Sequence, residues 1–257
     1  MNFNSEIAEK TLVVIPARFE STRLPGKVLA DIGGKPLIHH VLERVCLSGL
    51  KHIAVATDSK EVALVCEAFG AKYILTDPKH PNGTSRCIEA FEKLHQSNSF
   101  EVLLNVQGDE PFIDPKLVYS IPEFLLENDE ANIATAFHVS QDLKTLEKNS
   151  VVKLVTDMHS RVLYFSRSLI PYKIETLGID IEYKIHIGIY GFRSRVLDQI
   201  KNLTLSPLEK SESLEQLRWL YHGIPVYAIA ARVGSLSVDT PTDLELARQL
   251  YLHGQNK

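Results

Sequence analysis

Three cations crowd one short stretch of this chain: Arg18, Arg23 and Lys27, within Pro16-Ala17-Arg18-Phe19-Glu20-Ser21-Thr22-Arg23-Leu24-Pro25-Gly26-Lys27. Guanidinium forks and a lysine point charge both bind phosphoryl oxygens, so a polyphosphate is the ligand that suits this spacing. A merely solvated basic loop would have the same composition. The apolar, β-branched run Leu12–Ile15 directly before it tips the reading toward a nucleotide site, because open α/β sheets bind ligands beyond the carboxyl ends of their strands. A second group of residues could hold a hard cation. In Asn105-Val106-Gln107-Gly108-Asp109-Glu110-Pro111, Gly108 lets the backbone come close to a ligand and Asp109 stands at the end of an apolar strand. In Val238-Asp239-Thr240-Pro241-Thr242-Asp243, helix capping accounts for Thr240, Pro241 and Asp243 but leaves Asp239 free. Asp109 and Asp239 brought together would hold Mg²⁺ against phosphate oxygens; apart, each is an ordinary solvated acid.

Weaker signals lie elsewhere. His80-Pro81-Asn82-Gly83-Thr84-Ser85-Arg86 is a loop feeding a helix, whose free amides could meet a base, ribose or phosphate. In Lys184-Ile185-His186-Ile187-Gly188-Ile189-Tyr190, strand periodicity sets His186, Gly188 and Tyr190 on one face, with a recess at the glycine. That recess suits a hydroxylated ligand, and a hydrogen-bonded core His–Tyr pair fits the spacing equally well. Arg167, Glu215 and Gln216 are further polar candidates that composition alone would assign to the surface. The chain has no His-Glu-x-x-His, no Gly-x-Gly-x-x-Gly and no Walker lysine, so zinc hydrolases, dinucleotide dehydrogenases and P-loop enzymes find no support.

The elements that must position these residues follow from hydrophobic periodicity. Strands are predicted at Leu12–Ile15, His52–Ala56, Lys72–Leu75, Val102–Val106 and Ile133–Phe137. Helices are predicted at Pro36–Ser48, Lys60–Phe69, Thr84–Leu94 and Pro115–Glu127, with Gly49 and Gly70 closing the first two. This alternation predicts an α/β fold with a mostly parallel sheet and helices on both faces. From Val151 the pattern turns to short β runs, Val151–Val155, Val162–Phe165 and Lys184–Phe192, read as a β-rich lobe over 151–205 beside the sheet and a plausible dimer surface. A capping box at Ser206–Glu209 predicts one helix through to Tyr221. A last strand, Val226–Ala230, precedes the final helix. All of 1–257 reads as a single domain, which can bury roughly three quarters of its unfolded surface.

The totals narrow the function classes. With 44% apolar and 23% charged residues the composition is that of a globular protein, and a net charge of -4 argues against a general nucleic-acid binder. The polar first ten residues lack a signal-peptide core and no apolar run nears membrane-spanning length, which predicts a cytoplasmic protein with no membrane partner. Cys46, Cys66 and Cys87 fall on apolar helix stripes with no Cys-x-x-Cys pair, reading as reduced core thiols.

Taken together, the cationic loop, Gln107-Gly108-Asp109-Glu110-Pro111, Tyr164-Phe165-Ser166-Arg167, His186-Ile187-Gly188-Ile189-Tyr190, Leu214-Glu215-Gln216-Leu217-Arg218 and Val238-Asp239-Thr240-Pro241 resemble the sugar-activating cytidylyltransferases. The resemblance is greatest to the branch that acts on 3-deoxy-manno-octulosonate (Kdo), and it runs over nearly the whole chain. It implies a Rossmann-like nucleotide-diphospho-sugar transferase fold, a homodimer, and transfer of CMP from CTP to Kdo with release of pyrophosphate, a step toward lipopolysaccharide. It also implies roles. Arg18 and Lys27 bind the triphosphate with Arg23 nearby, and Pro16, Ala17, Gln107, Asn82, Gly83 and Arg86 surround the nucleoside. Asp109 and Asp239 hold Mg²⁺, and Arg167, His186, Tyr190, Glu215 and Gln216 hold the sugar acid. The family usually has Ser-Gly-Thr-Glu-Arg where this chain has Asn82-Gly83-Thr84-Ser85-Arg86, and a small residue in place of Glu20. The same chemistry on 8-amino-Kdo or a sialic-type acid, and a non-catalytic nucleotide-binding relative, are the alternatives.

Overall fold

The first strand, Thr11–Pro16 (β1), follows a short helix, Ser5–Lys10 (α1), and is covered on both faces. Leu12 and Val14 enter one apolar cluster while Val13 and Ile15 enter another, as a two-residue period demands of a strand with helices on either side. The structure, a computed structural model, describes residues 4–21, 23–95, 99–174 and 181–255; Thr22 of the cationic loop lies outside them. After that loop come a hairpin, Asp31–Ile32 (β2) and Lys35–Pro36 (β3), then helix Leu37–Cys46 (α2) and strand His52–Thr57 (β4). Helix Lys60–Ala68 (α3), strand Tyr73–Leu75 (β5), helix Gly83–His95 (α4) and strand Val102–Val106 (β6) complete the alternating half. Gly49 and Gly70 take φ of 80° and 66° just after α2 and α3, the left-handed turn that lets a helix end sharply.

The second half runs through helix Pro115–Glu127 (α5), strand Ile133–Ser140 (β7), a helical turn Leu143–Leu146 (α6), and strands Lys153–Thr156 (β8), Val162–Ser166 (β9) and Tyr183–Arg193 (β10). Helices Ser194–Lys201 (α7), Pro207–Glu212 (α8) and Gln216–Tyr221 (α9), strand Val226–Ala230 (β11) and helix Pro241–Gln255 (α10) follow. Among the described residues nine strands form one sheet, in the order β11-β7-β10-β6-β1-β4-β5, with β8 paired to β10 and β9 to β8. β1 is parallel to both β4 and β6, whereas β10 is antiparallel to β6 and β7. The sheet is therefore mixed, with a parallel half that carries the cationic loop. No described helix is long and apolar enough to cross a membrane.

Several expectations need correction. Pro36 is an extended residue of β3 that precedes α2 and not its first helical residue, because its ψ of 148° keeps it paired with Asp31. The helix expected over Ser206–Tyr221 is broken at Ser213, which adopts φ 51°, and so becomes α8 and α9. The β-rich stretch 151–205 is only partly a lobe. β8 and β9 branch from β10 outside the main strand order, but β10 itself runs through the middle of the sheet because both its edges find partners in β6 and β7. Cys66 and Cys87 are buried free thiols as expected, but Cys46 is exposed at the end of α2.

β10 sits close under α5 because Gly191 has no side chain: a Cβ there would come within 2.5 Å of Ile121 Cγ2 and 2.7 Å of Leu125 Cδ1. Gly191→Ala should therefore lower stability by about 1–3 kcal/mol through overpacking. A denaturant melt showing the variant as stable as the parent would mean that α5 is not seated on this strand.

Candidate active site

β1 and β6 lie side by side and parallel, so the loops leaving their carboxyl ends open onto the same edge of the sheet. Between these loops lies a cleft of about 800 Å³, lined by Arg18, Arg23 and Lys27 from the first and by Gln107, Gly108 and Asp109 from the second. The loop after β1 is folded back on itself by a bond from Gly26 N–H to Phe19 C=O at 3.1 Å. Gly26 takes φ 65° there, a conformation that side chains disfavour, and the turn sends Lys27 into the cleft. The segment leading into α10 supplies Asp239 as a third wall. Asp243 Oδ2 accepts from Asp239 N–H, Thr240 N–H and the Thr240 hydroxyl, and Thr240 Oγ1 accepts from Asp243 N–H. This reciprocal cap leaves the Asp239 carboxylate facing the cleft, and Val238 N–H donates to Asp109 C=O at 2.9 Å to bind the two segments together.

The two aspartates, 130 positions apart in numbering (239 − 109), meet on one ammonium. Lys27 Nζ lies 2.5 Å from Asp109 Oδ2 and 2.9 Å from Asp239 Oδ1, while Arg23 Nη2 lies 2.9 Å from the same Asp239 oxygen. Burial works against the Lys27 charge, but the two carboxylates outweigh it and hold its pKa above the ordinary lysine value. Burial likewise opposes the Asp239 charge, and Lys27 and Arg23 overcome it to hold that carboxyl below its ordinary value. Two carboxylates that can share one cationic partner offer hard oxygen donors at a single point, which is the donor chemistry Mg²⁺ takes. Among the described residues no group of three or more His, Cys, Asp and Glu side chains is placed to hold a metal.

The far end of the cleft is closely packed. A Cβ on Gly108 would come within 2.7 Å of the Pro16 carbonyl oxygen, and one on Gly83 within 3.2 Å of Pro16 Cγ. Asn82 Oδ1 accepts from Ser85 N–H at 2.9 Å and so caps the start of α4, giving this chain's Asn82 and Ser85 a structural use for side chains that differ from the family pattern. Arg86 is 2% exposed, with Nη2 2.5 Å from Asp58 and Nη1 2.6 Å from Thr76. It reaches the cleft wall as a braced residue, with its charge already paired. Ala17 is placed differently from what the resemblance implies: its side chain is fully buried in the core and does not line the cleft. Glu20, exposed at the cleft rim, needs no compensating partner.

His186, Tyr190, Arg167, Glu215 and Gln216 do not line this cleft. Of these, His186 and Tyr190 flank Gly188 on β10, where a Cβ would lie 3.3 Å from Gln107 Cγ of the cleft wall. β10 bulges between Ile187 and Tyr190. The His186 and Tyr190 rings lie 5.3 Å apart, and His186 Nε2 is 2.9 Å from the Thr135 hydroxyl. Burial pushes the imidazole down to about 3 and raises the Tyr190 phenol well above its usual value. Glu215 stands where α9 begins, and burial pushes its carboxyl up to about 7 despite the nearby Thr84 hydroxyl and Arg218. Arg167 donates to backbone carbonyls, from Nε to Glu212 at 2.7 Å and from Nη1 to Asn149 at 2.9 Å.

Sequence reasoning missed Glu110. It is 5% exposed with Oε2 unpartnered, and burial, aided by the Asp109 charge, raises it to about 8. Its place beside Asp109 in the quoted motif was the available signal. His80 lines the cleft too, with Nε2 2.5 Å from Glu89.

Residues 12–232 match a family model described as Cytidylyltransferase. A protein of Francisella philomiragia named 3-deoxy-manno-octulosonate cytidylyltransferase is 44% identical over 93% of this chain and 97% of its own length. One of the same name from Leptothrix cholodnii is 42% identical over 93% of this chain and 90% of its own. A solved structure described as CMP:2-keto-3-deoxy-manno-octonic acid synthetase complexed with CTP superposes with a TM-score of 0.88 at 38% identity, covering 95% of this chain and 99% of that one.

The Glu215 carboxyl gives a pH test. Its pKa rises from 4.5 in the unfolded chain to about 7 in the folded one, so the folded state holds the proton more firmly. That contribution to stability is full below pH 4.5 and is lost as pH rises through 7. Glu215→Gln cannot titrate, so between pH 5 and 8 it should gain stability relative to the parent, on the order of 1–2 kcal/mol in paired denaturant melts. Equal differences at both pH values would put the carboxyl in water.

Proposed function

The chain belongs to the cytidylyltransferase family, and on that footing we propose that it transfers CMP from CTP to the anomeric hydroxyl of Kdo, releasing pyrophosphate. The observation that carries this reading is the convergence of Asp109 and Asp239 on the Lys27 ammonium in a cleft also lined by Arg18 and Arg23. A sensor of nucleotides would need the cations but not a carboxylate pair among them.

In this reading the triphosphate lies along Arg18, Arg23 and Lys27, whose positive charge is strongest in effect on the phosphates that leave. Pro16, Asn82, Gly83 and Gln107 border the nucleoside, and Gly108 admits it against bare backbone. Asp109 and Asp239 would hold Mg²⁺, which when bound neutralises phosphate charge and lowers the pKa of a coordinated hydroxyl. The anomeric oxygen of Kdo forms the new bond to the α-phosphorus as the bond to pyrophosphate breaks, and the hydroxyl proton leaves to solvent. His186 does not serve as the base. An imidazole whose pKa is pushed down to about 3 has little affinity for a proton near neutrality. It orients the sugar instead, steadied by Thr135. Tyr190, Glu215 and Gln216 line the same end, and Arg167 faces the sugar carboxylate with the N–H groups its carbonyl partners leave unused. A homodimer belongs to the reading: Met158 and Leu163, 90% and 62% exposed around β8 and β9, are apolar surface for a second copy to cover.

Pyrophosphate release with CTP and a panel of acceptors tests the assignment. Kdo should be turned over far faster than 8-amino-Kdo or a sialic-type acid, and CTP binding without release on any acceptor would sink it. Asp109→Asn should keep the circular dichroism spectrum and lose turnover by about a hundredfold or more. Near-normal turnover in that variant would remove Asp109 from the reaction. His186→Ala should raise the KM for Kdo and leave that for CTP unchanged.

A further inference from the structure

Lys153, on β8, is 0% exposed. Its ammonium donates to three backbone carbonyls: Val151 at 2.8 Å, Lys148 at 3.4 Å, and Arg167. Three oxygens for three hydrogens is the whole donor capacity of a lysine. Removing an ion from water costs several kcal/mol even when it is well paired. Burial indeed pulls this lysine below its usual pKa, with the Glu212 carboxylate opposing the shift. A methionine would fill the same space without that cost. What it could not do is draw the carbonyls of two separate segments, 148–151 and the end of β9, onto one point.

The segment so held is the one that carries Arg167. From there a closed set of bonds runs to the break between α8 and α9. The Glu212 carboxylate accepts from the Ser166 hydroxyl at 2.7 Å and from Arg167 N–H at 2.9 Å. The Arg167 guanidinium returns to the Glu212 carbonyl at 2.7 Å, to Ser213 C=O at 3.4 Å and to Asn149 C=O at 2.9 Å. Ser213 is the residue with φ 51° that ends α8, and Glu215 and Gln216 begin α9 directly after it. A second tie spans the same break, since Arg218 of α9 grips Glu209 of α8 through two bonds of 2.5 and 2.7 Å. Neither Lys153 nor Glu212 lines the nucleotide cleft.

We propose that Lys153 and Glu212 are positioning residues for the acceptor sugar. They act through Arg167 and the Ser213 break to fix where Arg167, Glu215 and Gln216 present their polar groups. The inference rests on the reading above, in which those three residues hold Kdo. A displacement of about 1 Å at a substrate-holding group is enough to cost up to a hundredfold in rate or affinity, so loosening the knot is felt at the sugar and not at the nucleotide.

The experiment is steady-state pyrophosphate release by the full chain and by Lys153→Met, Glu212→Ala and Glu212→Gln, with Kdo and CTP varied separately. CTP binding by calorimetry and melting temperature are measured alongside. Lys153→Met and Glu212→Ala should raise the KM for Kdo about tenfold or more while the KM and Kd for CTP stay within about twofold. Glu212→Gln keeps groups that can pair with Ser166 and Arg167 N–H, so it should recover most of the loss seen in Glu212→Ala. If the constants for both substrates rise together, or only the melting temperature falls, the residues are structural and the proposal is overturned. Should Lys153→Met fail to fold, the two Glu212 variants decide the matter by the same criteria. A parent chain that binds CTP but releases no pyrophosphate with Kdo would overturn the functional reading instead, and the inference with it.

Discussion

Everything in the nucleotide half depends on bringing three distant pieces of chain to one edge of the sheet. The loop after β1, the loop after β6 and the entry to α10 meet at Lys27, Asp109 and Asp239. Two backbone facts enforce the meeting. β1 and β6 are parallel neighbours, so their carboxyl ends coincide. The Val238 N–H bond to the Asp109 carbonyl holds the approach to α10 beside the loop after β6. A carboxylate half-buried without a cation would push its own pKa upward. The pairing with Lys27 and Arg23 is what lets the Asp239 carboxylate stay charged in a partly closed cleft.

The sugar half is built on other terms. The groups proposed to hold the sugar come from the end of β9, from β10 and from the start of α9, and the segment carrying Arg167 is held by the Lys153 ammonium buried among carbonyls instead of by a loop of mixed charges. The two halves touch at Gly188 and Gln107, where a side chain on the glycine would crowd the glutamine. The antiparallel insertion of β10 between β6 and β7 is what makes that contact possible. Without β10 in the sheet, His186 and Tyr190 would have no fixed relation to Asn105 and Gln107.

Much of this was legible from residue types alone. Val102–Val106 and Pro115–Glu127 were placed to the residue because an apolar run with clear turn residues, and a proline following an aspartate cap, are local signals. The cationic loop and the Thr240–Asp243 cap that leaves Asp239 free were legible for the same reason. What was not legible is what depends on partners far along the chain. The run Lys184–Phe192 declares a strand but not its neighbours, so its place in the middle of the sheet could not be read. Ser206–Tyr221 opens on a capping box and has no proline or glycine after Pro207, so nothing local announces the left-handed turn at Ser213 that divides it. Lys153 looks like any lysine in a short β run, and Glu212 like any acid near a helix end. Arg86 was legible as a cation beside the cleft but not as one already bonded to Asp58 and Thr76.

The ion-pair chain Arg23–Asp239–Lys27–Asp109 has a consequence for the order of events. A triphosphate entering by itself must take cations away from two carboxylates, and each one it takes leaves bare negative charge beside its own oxygens. The attraction that draws it in thus generates a repulsion that grows as it settles. A triphosphate that arrives already carrying a divalent ion brings the replacement charge with it, so the carboxylates trade one positive partner for another. On the proposed reading the cleft would thereby favour the metal-laden nucleotide over the free one by internal exchange, without any group dedicated to telling them apart.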